Sequence, residues 1–111
     1  MAEIALILFA ITAVGGLIMA AKIFQGSSAP WLLSIGHALL GVGGLILLLI
    51  PVVNGSSDTL LPLIILVVAA LGGFFLAFLH LKNKPAPRPV VVIHALVAVF
   101  GVLALANLLY L

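Results

Sequence analysis

The chain contains no cysteine, which removes disulfides, thiolate metal sites and cysteine nucleophiles from consideration. Charge is nearly as scarce. Only two carboxylates, Glu3 and Asp58, and four cations, Lys22, Lys82, Lys84 and Arg88, occur in 111 residues. Those carboxylates offer no pair for hydrolytic acid–base chemistry, and four cations are too few for a nucleic-acid footprint. Alternating polar and apolar runs are missing as well, which argues against strands and against a membrane barrel. What remains is apolar: 67% of residues are hydrophobic and 5% charged, with a mean hydropathy of +1.58. A soluble domain this small needs far more polar surface to cover it. The composition therefore implies an all-α integral membrane protein.

Four apolar segments carry this reading, at residues 4–24, 31–53, 59–81 and 89–111. Each supplies the roughly 20 residues that a helix needs to cross about 30 Å of hydrocarbon. The connections are short and rich in breakers: Gln25 to Pro30, Asn54 to Asp58, and Asn83 to Arg88. Pro30 and Pro89 suit helix starts, where a missing N–H costs nothing. Pro51 and Pro62 fall near helix ends and predict local fraying or kinks. Short connections make successive helices antiparallel neighbours, so residues 1–111 read as one transmembrane domain, an up-down-up-down four-helix bundle. Met19-Ala20-Ala21 has the look of a signal-peptide cleavage site, but no basic residue precedes the apolar run, and the segment is read as a retained helix.

All four cations lie at the first and third connections, while Glu3 and Asp58 lie at the N-terminus and the second. The positive-inside rule then puts the basic connections in the cytoplasm and both termini outside, in a bacterial or archaeal cell membrane. Trp31 and Tyr110 fall at opposite interfaces, as aromatic anchors do.

An internal repeat organises the rest. His37 and His94 are 57 residues apart, and the same offset carries Gly15-Gly16 onto Gly72-Gly73, Pro30 onto Pro87, Ala38-Leu39 onto Ala95-Leu96 and Gly44 onto Gly101. Ala13 also meets Ala70, and Ala20 meets Ala77. Such a register predicts a tandem duplicated helical hairpin, with units at about 1–57 and 58–111.

Each histidine follows its matching proline by seven residues, roughly 10 Å inside the basic end of the second or fourth helix. Those helices are diagonal in a square bundle, about 11–14 Å apart, a gap that accepts two facing imidazoles with a metal between them. A haem iron takes two axial nitrogens in this way. Gly15-Gly16 and Gly72-Gly73 put a notch at the same depth on the two other helices. Gly44 and Gly101, two turns beyond the histidines, are expected to leave room beneath a ligand on the inward stripe.

This arrangement resembles the membrane b-type cytochromes with bis-histidine haem, four-helix cores with an axial histidine on each of two alternate helices. The resemblance implies electron transfer rather than stand-alone enzymatic activity, with one haem b per chain. It makes His37 and His94 the iron ligands, and Gly15, Gly16, Gly44, Gly72, Gly73 and Gly101 the positions of close approach to the cofactor. Lys and Arg at the basic loops would meet the propionates, and a quinone or a redox protein would be the partner. Many such cytochromes hold two haems on four histidines; here the outer half of every helix lacks histidine, so one haem is implied.

Other readings of the same residues are a proton-coupled transporter or channel relaying protons through the two histidines, interhelical hydrogen-bonding glue, and a structural subunit of a larger complex. A chlorophyll-like macrocycle would need only one histidine per ring. His80 has Ile23 as its repeat partner and reads as an interfacial residue at a helix end, with a propionate contact or proton exchange as the alternative.

Overall fold

The computed structural model describes residues 1–111. It holds four helices, α1 (Ala2–Phe24), α2 (Trp31–Val53), α3 (Leu60–Leu81) and α4 (Arg88–Tyr110). Each is long and apolar enough to cross a membrane. Twenty-three residues at about 1.5 Å each give roughly 34 Å, a little more than the hydrocarbon thickness. The molecule measures 43 × 24 × 21 Å.

Helix boundaries follow local chemistry. Pro30 and Pro87 occupy the N-cap positions of α2 and α4 in extended backbone, and Pro89 sits in the first turn of α4, where no intrahelical N–H is required. Pro62 likewise falls in the first turn of α3. Pro51 is interior to α2, yet the helix continues to Val53. Three helices end alike. Residues with positive φ, Gly26, Gly55 and Asn83, follow the C-caps of α1, α2 and α3. The next N–H bonds back to a carbonyl five residues earlier: Ser27 to Lys22, Ser56 to Pro51 and Lys84 to Leu79. These are Schellman closures, and they satisfy carbonyls that would otherwise face lipid headgroups unpaired.

The helices form a ring. α1 packs on α2 and α3 on α4 most extensively, and the seams α1/α4 and α2/α3 join these two hairpins. The backbones of α1 and α3 do not approach closely, nor do those of α2 and α4, so the two histidine-bearing helices stand on a diagonal.

Only 13 of the 111 residues are buried, and large side chains such as Leu32, Leu39, Ile46, Leu71 and Phe100 face outward. In water so continuous an apolar exterior would drive aggregation; in lipid it is the matched surface. The chain is a four-helix transmembrane bundle. Its dry core lies at one end, where Ala5, Phe9, Leu48, Leu63, Leu66 and Leu105 cluster. The buried Thr59 hydroxyl donates to the Leu48 carbonyl at 2.9 Å and ties the start of α3 to α2.

Candidate functional site

The other half of the bundle is built differently. His37 Nδ1 lies 2.8 Å from the main-chain oxygen of Thr12. His94 Nδ1 lies 2.7 Å from that of Ala69. A carbonyl oxygen only accepts, so both Nδ1 atoms carry the proton and donate it. Each acceptor precedes its histidine by 25 residues and belongs to the partner helix of the same hairpin, α1 for His37 and α3 for His94. Each ring also rests on a glycine of that helix. A Cβ at Gly16 would come within 2.8 Å of His37 Cε1, and one at Gly73 within 2.9 Å of His94 Cε1. Both contacts are far below ordinary van der Waals distance, so only glycine admits the ring. The histidines are thus gripped by their own hairpins and meet across the gap between hairpins, with ring centroids 6.2 Å apart and planes inclined by 72°.

Around the pair the bundle is hollow. A cavity of about 420 Å³ runs from the histidines along α1 and α4 to the first and third connections. A smaller one of about 130 Å³ reaches from them along α2 and α3. Because α1/α4 and α2/α3 are the seams between hairpins, the two spaces form a slot between the hairpins, with His37 and His94 lining both parts. Small residues line it at histidine depth, among larger ones such as Leu17, Leu76 and Phe74. Ala13, Gly16 and Ala20 line it from α1, with Ala70, Gly73 and Ala77 from α3. Ala38 and Gly41 face it from α2, with Ala95 and Ala98 from α4. The larger part falls within the 300–1,000 Å³ range of small-molecule sites.

The remaining glycines divide by place. Gly15 faces Leu33 and Gly72 faces the His94 ring at ordinary contact distance. Gly44 and Gly101 do not line the slot. The room expected beneath a ligand is taken by Phe9, whose Cζ lies 2.6 Å from a Cβ built at Gly44, and by Leu66, 2.7 Å from one at Gly101. The cause is bulk: at that depth α1 and α3 carry large side chains, and they fill whatever the glycines leave free.

The loop end of the slot is polar and free of carboxylates. His80, Lys84 and Arg88 line it with Ser27 and Ser28. His80 stacks face to face on Trp31, centroids 4.0 Å apart and planes 3° from parallel. Arg88 lies over the Phe24 ring at 5.5 Å. The two contacts close the α2/α3 and α1/α4 seams at this end. Trp31, expected as an interfacial anchor, therefore also bridges one seam.

Chemically, two imidazoles with Nδ1 committed as donors present Nε2 as the remaining ligand atoms, the arrangement that orients metal-binding histidines. No cluster of three or more His, Asp or Glu side chains accompanies them. Two protein ligands fall short of what a bare zinc ion takes, but they suffice for a metal whose other positions are filled by a macrocycle. The donor set therefore suits a metal carried in a macrocycle better than a bare zinc ion.

The sequence singles out both histidines and the glycine notches at their depth, and the structure brings these together. It does not announce Thr12 and Ala69, since a main-chain carbonyl has no side-chain signature. Comparison with protein-family models, curated proteins and solved structures gives no match to this chain.

Proposed function

We propose that the protein is a membrane b-type cytochrome for electron transfer, binding one haem b between α2 and α4 with His37 and His94 as axial ligands. The observation that carries this reading is the pair of Nδ1–H···O=C bonds, with Nε2 of both rings uncommitted and the rings 6.2 Å apart across the slot. Metal–nitrogen bonds of about 2.0–2.1 Å set two ligating Nε2 atoms ~4 Å apart, with ring centres roughly 6 Å apart. The observed separation fits that geometry.

The residues take these roles. Thr12 and Ala69 carbonyls hold the rings in one tautomer and raise the basicity of Nε2. Gly16 and Gly73 let each ring lie against its partner helix, and the alanines leave width for the macrocycle. Lys84 and Arg88 give the loop end a positive field in which the anionic edge of the cofactor is favoured. When bound, the haem supplies a one-electron redox centre. Its location in one half of the bundle favours exchange with a quinone or redox protein at that side.

The architecture that goes with this function is an up-down-up-down bundle of two duplicated hairpins in a cell membrane, basic loops in the cytoplasm and both termini outside. The matched hydrogen bonds of His37 and His94 support the duplication, and the clustering of Lys22, Lys82, Lys84 and Arg88 supports the orientation.

The test is an absorption spectrum of protein purified in mild detergent after expression with ample haem, oxidised and then dithionite-reduced. A sharp Soret band with resolved α and β bands on reduction is the expected result. His37→Ala and His94→Ala should each abolish haem retention while the bundle still inserts. Stoichiometric haem in either variant sinks the assignment.

A further inference from the structure

The larger arm of the slot joins two regions of opposite character. Its mouth, at the first and third connections, carries Ser27, Ser28, His80, Lys84 and Arg88 and no carboxylate. Neither Lys84 nor Arg88 forms an ion pair within the chain; the ion pair present joins Met1 and Glu3 at the opposite end of the bundle. Cations without a counter-charge, set beside low-dielectric walls, focus a positive field that favours an anion. The serines add hydroxyl donors.

Inward from the mouth the lining turns apolar. Leu17 and Ile23 of α1, Leu76 of α3 and Val99 of α4 line the arm together with Ala20 and Ala77. No charged side chain lines it deeper than the mouth. His37 and His94 close the far end, roughly 10 Å inside the basic end of their helices. An extended chain advances about 3.5 Å for every three bonds, so roughly eight or nine bonds reach from mouth to histidines. The volume of about 420 Å³ stands in the lower part of the range for small-molecule sites, which suits one chain rather than a two-chain lipid. Moving an alkyl chain from bilayer to slot exchanges one apolar surrounding for another and gains little. Affinity must therefore come from the head, through charge-assisted hydrogen bonds at the mouth.

We propose that the larger arm binds a single-chain anionic amphiphile of about eight to ten carbons, its head between Lys84, Arg88 and the two serines and its chain running to the histidine pair. The proposal does not rest on the haem reading. A haem between His37 and His94 would fill the same arm, so the two ligands exclude one another.

The experiment uses the full chain, expressed without added haem and placed in nanodiscs of neutral lipid. The probe is decanoate with a diazirine at its terminal carbon, and peptide mass spectrometry after irradiation locates the insertion. Insertion is expected at histidine depth inside the slot, at His37, His94, Ala13 or Ala98. Excess unlabelled decanoate or decyl phosphate should suppress it about tenfold, and decyltrimethylammonium should not. The more effective anion identifies the head as carboxylate or phosphate. Lys84→Gln with Arg88→Gln should reduce slot labelling several-fold while labelling of outward residues such as Leu39 and Phe100, which reports probe dissolved in the bilayer, stays unchanged. Labelling confined to outward residues overturns the proposal, and so does suppression by the cationic amphiphile as strong as that by decanoate. A Soret band without slot labelling would leave only the haem reading standing; slot labelling without a Soret band would leave only this one.

Discussion

The two ends of the bundle use one device for opposite ends. At the dry end a Cβ on Gly44 would meet Phe9, and one on Gly101 would meet Leu66. At the loop end a Cβ on Gly16 or Gly73 would meet a histidine ring. In each case glycine lets a bulky side chain from the partner helix lie against bare backbone. What differs is the company. Around Phe9 and Leu66 stand Leu48, Leu63 and Leu105, and the space closes. Around His37 and His94 stand Ala13, Ala70, Ala95 and Ala98 among larger side chains, and the space stays open. Whether the space beside a glycine closes or stays open is decided here by its neighbours rather than by the glycine.

This contrast can be broken from either side. The largest effect on stability belongs to the dry end. Leu48→Ala or Leu105→Ala removes a fully buried side chain and should cost about 2–5 kcal/mol, read by denaturant titration in detergent, with the haem absorption bands unmoved. A displaced spectrum in these variants would show that the two ends are one cooperative site. Next comes the same substitution made at both ends. Gly44→Ala and Gly16→Ala each insert a Cβ closer than 3 Å to a ring, an overpacking cost of about 1–3 kcal/mol. Gly44→Ala should lower stability alone, whereas Gly16→Ala, and likewise Gly73→Ala, should weaken haem retention by roughly tenfold or more. Equal loss of haem from both Gly44→Ala and Gly16→Ala would abolish the division of labour.

Smaller effects sharpen the picture. Thr59→Val leaves the shape but deletes the hydrogen bond to Leu48, which should cost about 1 kcal/mol or less, as interhelical bonds in membranes do. Arg88→Gln with Lys84→Gln removes two cations from the slot's mouth. Haem dissociation should quicken a few-fold, more at low ionic strength than at high, because exposed charges are screened. A ratio of double-variant to wild-type dissociation rates that does not change with salt would mean that these cations do not face the ligand.

How much of this was legible beforehand follows from where each signal is written. The four spans follow from hydropathy, and the helices lie within three residues of the expected bounds. The slight differences arise at caps: Pro87 rather than Arg88 is the N-cap of α4, and Thr59 turns its hydroxyl to Leu48 instead of entering α3. His37 and His94 stood out because an ionisable residue inside an apolar helix is rare. Their glycine partners stood out through the shared offset. Gly44 and Gly101 carried the same signature and were expected in the same role, yet they serve the core. Their neighbours across the helix interface, Phe9 and Leu66, decide that, and no feature local to either glycine reveals them. The Trp31–His80 stack joins residues 49 positions apart through a seam, and it too has no local trace.

By itself, then, the sequence determined that the chain is a bundle of four membrane-spanning helices and which ionisable groups lie inside it, because burial of apolar surface and the scarcity of charge are properties of composition and period. Tertiary structure alone decided that each histidine bonds a carbonyl of its own hairpin, that the rings stand 6.2 Å apart, and that one end closes while the other holds a slot. Those outcomes depend on which helix faces which at a given depth, and contacts of that kind exist only once the helices have docked.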